Sequence, residues 1–257
     1  MVGDFATLGW ERFGHDPALE SWARAANGFA EQAMQDAAHA QWWDCEDTWF
    51  IGVDALENDE TGRLPDGTGL PDGLMSDLYK SYGRYPLHKA QVSVIRPGYP
   101  KPRGGESEAA FRYRLKRDAA HVDGLKMQGT ERRRVIEEPH AYILGIPLNE
   151  APVEAAPLVL WEGSHVIMRD ALEKALQSHP VEVWDRVDVT EVYQAARREV
   201  FETCTRVVVH ANPGEAYLLH RLCLHGVAPW SGPEIGDRRI AYFRPVLGTV
   251  KEWLALP

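Results

Sequence analysis

Hydrophobic positions along this chain change period, and each period predicts a different kind of element. Near the N-terminus Leu19, Trp22, Ala26 and the pair Phe29/Ala30 fall three and four residues apart. They follow Asp16-Pro17, a favourable helix start, and share one helix face. The first forty residues are therefore predicted to be helical. Trp42, Trp43, Trp49 and Phe50 then lead into a predicted short strand over 48–53. Pro65-Asp66-Gly67 and Pro71-Asp72-Gly73 make 57–73 a turn-rich loop, with a short helix predicted over 73–82.

Beyond residue 87 the period falls to two. Residues 87–95 alternate as a strand does, and Arg96-Pro97-Gly98 ends the run. Phe111 and Leu115, four apart, predict an amphipathic helix over 107–117. Tyr142, Leu144, Ile146 and Leu148 alternate again, and 158–161 reads as a short buried strand closed by Gly163-Ser164. Helices are predicted at 166–177 and 189–199, then strands at 205–209, 216–220, 222–225 and 239–243. Helices first and many short strands afterwards predict an α+β, mainly β chain around an antiparallel sandwich or barrel. The length of 257 residues is read as a single domain over 1–257.

Composition narrows the class. With 44% hydrophobic and 26% charged residues the chain has the make-up of an ordered protein with a sizeable core. A net charge of −10 argues against nucleic acid or an anionic membrane as partner, because phosphate contacts need a basic face. The N-terminus lacks a basic start followed by an apolar stretch, and no apolar run is long enough to span a bilayer. Three widely separated cysteines fit a reducing compartment rather than a disulfide framework. Together these predict a cytoplasmic protein. Charge is uneven, however: residues 101–134 hold ten basic and five acidic side chains. Such a cluster is either a solvated face or a funnel for a small anion.

One histidine of the ten sits two residues before a carboxylate, in His121-Val122-Asp123. On extended backbone, residues two apart project to the same face, so imidazole and carboxylate can meet one ion. Alone this is weak. About a hundred residues on, Leu222-Cys223-Leu224-His225-Gly226 supplies a second histidine. Two histidines and one carboxylate make the facial triad that leaves half of an octahedral iron(II) open. Arg238, thirteen residues after His225, could grip a carboxylate bidentately.

In this order of features the sequence resembles the iron(II)/2-oxoglutarate-dependent dioxygenases, and most the phytanoyl-CoA dioxygenase branch; a prolyl-hydroxylase-like relative is the lesser match. Pro157 to His165, a strand followed by Gly163-Ser164-His165, resembles that branch's strand and Gly-Ser-His turn. His225-Gly226-Val227-Ala228-Pro229 resembles its His-Gly-x-x-Pro loop. The resemblance covers roughly residues 88–245. Glu162 stands where a proline is commoner, the 97–121 insert is long, and the arginine is a residue or two farther from the histidine than usual.

The resemblance implies a double-stranded β-helix (jelly-roll) core over 87–245. A mostly helical part, 1–86, and the inserted helices would pack outside it, unless the helical part pairs two copies of the chain as a homodimer. It implies His121, Asp123 and His225 as Fe(II) ligands and a small-molecule, or peptide, substrate. Hydroxylation would use O2 and decarboxylate 2-oxoglutarate to succinate. Arg238 would hold the far carboxylate of 2-oxoglutarate. Alternation puts Ile240, Tyr242 and Arg244 on the same face, making Arg244 the second candidate, while Tyr142 is a candidate phenol donor to the co-substrate. Trp230 is expected at the site mouth, and His140, His165 and His220 are expected to be structural. The competing class is a cupin-like metal-binding barrel without 2-oxoglutarate chemistry, which needs no arginine clamp.

Overall fold

The computed structural model describes residues 4–255. Its first part runs α1 (Phe5–Leu8), β1 (Trp10–Phe13), α2 (Pro17–Gln35), β2 (Trp43–Asp44), β3 (Trp49–Phe50) and α3 (Asp72–Tyr82). Next come β4 (Gln91–Ile95), α4 (Glu108–Lys116), β5 (Leu125–Gln128), β6 (Arg133–Ile136) and β7 (Tyr142–Pro147). The rest is β8 (Leu158–Trp161), α5 (Ser164–Leu176), α6 (Thr190–Thr203), β9 (Arg206–Val209), β10 (Ala216–His220), β11 (His225–Val227), β12 (Arg238–Phe243) and α7 (Val250–Leu254).

Seven strands form one sheet in the order β1-β10-β7-β12-β4-β3-β2, and three form another, β11-β8-β9. All pairings in both are antiparallel. Ile143, Leu219 and Ile240 of the large sheet cluster with Leu158, Leu160 and Val209 of the small one, so the two sheets face each other across an apolar core. The opposite face of the large sheet carries a second cluster. There Tyr142, Leu144, Ile146, Leu218 and Phe243 meet Leu19, Trp22 and Ala26 of α2 and Leu74 and Leu78 of α3. Strand β7 is thus buried at every position, and its period of two sorts side chains between two cores rather than between core and water.

Local chemistry explains the helix ends. Asp16 accepts from the Ala18 amide at the start of α2, with Pro17 in the first turn. Ser107 accepts from the Ala110 amide at the start of α4. At the other end of the chain, α7 docks on the core through Arg221, which donates to the carbonyls of Trp253 (2.7 Å) and Ala141 (2.9 Å).

Several expectations are corrected. The first forty residues are not all helical: Trp10–Phe13 is an edge strand paired with β10, too short to show a period in sequence. The predicted strand over 48–53 shrinks to Trp49–Phe50, which with β2 extends the other edge. The part over 1–86 therefore lends strands to the large sheet as well as packing helices on it. Helix α4 buries Arg114 rather than Phe111 and Leu115; Leu115 is exposed, because Glu106 neutralises the inward guanidinium at 2.6 Å. Residues 222–224 are turn and coil, so His225 begins a strand instead of ending one. The β5–β6 hairpin gave no periodic signal because its burial does not alternate: β5 is almost wholly exposed and β6 is buried only at Val135 and Ile136. No helix among the described residues is long and apolar enough to cross a membrane.

Gly145 of β7 lies under the Tyr217 ring, where a Cβ would come within 2.2 Å of it. Gly145→Val should overpack this layer and lower stability by about 1–3 kcal/mol. A urea melt should show a lower midpoint at unchanged slope; an unchanged midpoint would contradict the packing described.

Candidate metal centre

The site is built on one backbone contact. His121 donates its amide to the His225 carbonyl at 2.8 Å, and His225 donates back to His121 at 3.0 Å. Residues that exchange both bonds stand directly opposite, with side chains on the same side. Their rings accordingly sit 4.6 Å apart, centroid to centroid. Asp123, two residues along, points to that same face.

The 118–123 segment is held in this register by three further features. The Val227 amide donates to the Asp118 carbonyl at 2.8 Å. The Asp118 carboxylate takes a two-pronged bond from Arg206 on β9, at 2.8 and 3.1 Å. Gly226 allows the close approach: a Cβ there would lie 2.1 Å from the Asp118 carbonyl oxygen.

Ligand atoms of His121, Asp123 and His225 all lie within 4.8 Å of one another. Nε2 of His121 is 3.1 Å from Oδ1 of Asp123, and Nε2 of His225 is 3.8 Å from the same oxygen. The other ring nitrogens are occupied: Nδ1 of His121 meets the Ala119 carbonyl at 3.0 Å and Nδ1 of His225 meets the Cys223 carbonyl at 2.9 Å. A carbonyl only accepts, so each Nδ1 carries a proton, and each Nε2 is the atom left to face Asp123. The second carboxylate oxygen, Oδ2, is held by Arg244 at 3.1 Å, and Arg244 in turn donates to Gln91. Three donor atoms converge and their far sides are tied down, which fits a divalent metal of imidazole and carboxylate preference.

Electrostatics favour the ligating forms of His225 and Asp123; at His121 burial lowers the imidazole, but the hydrogen bond and charge of Asp123 outweigh it and leave it above its usual value, so a metal would displace a proton there. Burial, followed by the neighbouring His121 ring, pushes the His225 imidazole down to about 4, so it is neutral at pH 7. Burial alone would raise the Asp123 carboxyl; the Arg244 guanidinium and the His121 ring outweigh it and hold the group well below the usual carboxylate range. Metal binding needs this pairing of neutral imidazole and ionised carboxylate.

The triad opens on a cavity of about 280 Å³. Trp49, Ile51, Tyr99, Ile143 and Leu219 give it apolar walls, and Gln91, Ser93 and Tyr242 add polar groups. Arg238 does not line this cavity. It borders a small adjoining one of about 20 Å³, with Leu158 common to both. Tyr217 shares that smaller space, and its hydroxyl donates to the Tyr242 hydroxyl at 3.0 Å. Arg238 is buried, its Nε has no partner, and no carboxylate among the described residues lies within ion-pair distance of it.

Tyr142 is misplaced by the sequence reading. It faces the helices, in ring contact with Tyr82 and Tyr85, because alternation on β7 sends Ile143 rather than Tyr142 toward the cavity. Arg244 reaches the site but as the partner of Asp123. Trp230 packs beside Tyr99 and Trp49 without lining the cavity; Trp49 is the tryptophan that does. His165 and His220 stack on each other at 4.7 Å beside Phe5, apart from the triad. Gln91 and Ser93 were legible as polar residues two apart among Val92 and Val94, and were missed.

Arg244→Met should leave the fold intact and weaken divalent-metal binding by about 10–100-fold, the usual effect of losing a ligand's orienting partner. Calorimetric titration with Mn(II) measures it; unchanged affinity would show that Asp123 needs no such support.

No protein-family model matches the sequence, and no curated protein matches it either. Solved structures do. The non-heme α-ketoglutarate-dependent carbocyclase SnoK from nogalamycin biosynthesis is 13% identical with a TM-score of 0.51, over 94% of this chain and 81% of that one. HygX from Streptomyces hygroscopicus, with nickel and 2-oxoglutarate bound, is 14% identical with a TM-score of 0.45, over 95% and 85%. EctD from S. alaskensis, with bound Fe, is 16% identical with a TM-score of 0.42, over 94% and 74%. At 13% identity the likeness to the SnoK structure shows a shared fold.

Proposed function

We propose that this protein is an iron(II)- and 2-oxoglutarate-dependent oxygenase that hydroxylates a C–H bond of a small molecule. One observation carries the reading: the Nε2 atoms of two imidazoles and one carboxylate oxygen converge while every other polar atom of the three side chains is tied elsewhere. Strand pairing supports it. The run β10-β7-β12-β4 faces β9-β8-β11, and the 121–123 segment adds to β11, which we read as a double-stranded β-helix.

When bound, iron(II) and 2-oxoglutarate supply the oxidising chemistry, giving succinate and CO2 and delivering one oxygen atom of O2 to the substrate. The chain's own contribution is positional. His121, Asp123 and His225 would hold the metal, and the cavity they line would receive co-substrate and O2. Arg244 and the two carbonyls fix the ligand rotamers and tautomers. Arg238 is the partner for the far carboxylate of 2-oxoglutarate. A buried guanidinium without a counter-ion is unfavourable, so the position favours an anionic ligand. Tyr217 and Tyr242 supply hydroxyls next to it. Trp49, Ile51 and Tyr99 shield the C–H to be attacked from water. A cupin-like barrel without 2-oxoglutarate chemistry would leave the charge on Arg238 without a use.

Anaerobic titration of the iron(II)-loaded protein with 2-oxoglutarate should produce a weak charge-transfer absorbance, and admitting O2 should yield succinate. Absence of both would end the proposal. Arg238→Met should keep the metal and weaken 2-oxoglutarate binding at least about tenfold, as loss of a charge-assisted contact does; normal binding in that variant would move the contact to Arg244.

A further inference from the structure

Next to the apolar cavity lies a second, larger cleft of about 590 Å³, which shares Trp49, His121, Asp123 and Arg244 with it. Its walls come from α4, the β5–β6 hairpin and α6, and they carry seven basic side chains against three acidic ones. Four of the seven are neutralised: Arg103 by Asp44, Arg114 by Glu106, Lys126 by Glu138 and Arg244 by Asp123. Arg132, Arg134 and Arg197 are not. None of the three has a carboxylate among the described residues within ion-pair distance.

Two of them are held in place by aromatic rings rather than by carboxylates, and the Arg132 guanidinium donates to the Met127 sulfur at 3.6 Å. Arg134 lies over the Tyr193 ring at 5.2 Å; Arg197 lies over the same ring at 5.2 Å and over Tyr113 at 4.8 Å. The hairpin is pinned to α6, since the Arg134 amide donates to the Thr190 hydroxyl at 2.7 Å and the Arg134 carbonyl accepts from Val189 at 2.9 Å. Burial, with Arg197 and Arg132 close by, makes Arg134 less basic than usual. Like charges gathered in a half-buried cleft repel, and stacking on phenol rings only partly offsets this. An oxyanion bound edge-on would remove the repulsion, because guanidinium forks match two oxygens at a time.

We infer that Arg132, Arg134 and Arg197 form an oxyanion site, and that the substrate of the neighbouring metal centre bears a phosphate group which this site anchors. Three cations and a group of nearly two negative charges at pH 7 favour phosphate over a single carboxylate. The site is distinct from Arg238, which lies in the sandwich core. The substrate role rests on the oxygenase reading, whereas the anion site itself does not. It also divides the basic 101–134 segment: Arg103, Arg112, Arg114, Lys126 and Arg133 are ion-paired, and of its other five cations Arg132 and Arg134 line this cleft.

The test is calorimetric titration of the full chain, free of metal, with inorganic phosphate and pyrophosphate at low ionic strength, with acetate as control. Saturable one-to-one binding of the phosphates is expected, weaker for acetate. The double variant Arg134→Gln/Arg197→Gln should bind at least tenfold more weakly, and Arg197→Lys, which keeps charge but loses the fork, should fall between. Arg132→Gln, in an exposed turn, should weaken binding several-fold and serves if the double variant does not fold. Non-saturable binding, or equal affinity in the variants and the parent, overturns the inference. A parallel Mn(II) titration keeps the two readings apart: the arginine variants should bind Mn(II) normally, and failure of Mn(II) binding in the parent would count against the metal centre alone.

Discussion

Two backbone hydrogen bonds, exchanged between His121 and His225, govern the site. They bring together residues more than a hundred positions apart and fix both imidazoles on one side of the pair. Asp123 follows from the two-residue repeat of extended backbone. The surrounding structure protects that pairing. Arg206 anchors Asp118, Gly226 admits the neighbouring carbonyl, and β8 carries β11 on its edge. A shift of one residue in this register would turn these side chains to the opposite face.

Charge at the centre is arranged in opposition. Asp123 stands between two imidazoles on one oxygen and Arg244 on the other. Without a metal, the histidines and the arginine compete for the same carboxylate; a divalent cation would take the imidazole side while Arg244 keeps the other. The two spaces around the triad differ in kind. One is walled by aromatic and aliphatic side chains and the other by arginines. A substrate with an apolar reactive portion and an anionic handle fits that contrast.

The sequence made part of this legible and hid part for physical reasons. Motif spacing singled out His121, Asp123 and His225, which the fold brings within 4.8 Å of one another. Strands β8 and β10 were read at their observed bounds, since each is a short apolar run between turns. Tyr142 was misassigned because alternation tells which residues share a face but not which face meets the site when both are buried. Helix α4 was read with its apolar residues inward, yet Glu106 makes burial of Arg114 favourable, and a local ion pair overrides periodicity. The arginine cleft was visible only as a charge surplus. Its members come from a hairpin and a helix about sixty residues apart, and nothing in the chain's spacing joins Arg134 to Arg197.

The most direct test of the central claim is X-ray absorption of the iron(II)-loaded protein kept anaerobic. Two imidazole ligands among oxygen donors around a single six-coordinate iron are predicted, falling to one imidazole in His225→Ala. A spectrum with no imidazole scattering, or one unchanged by that substitution, would contradict the pairing of His121 and His225 as a metal centre.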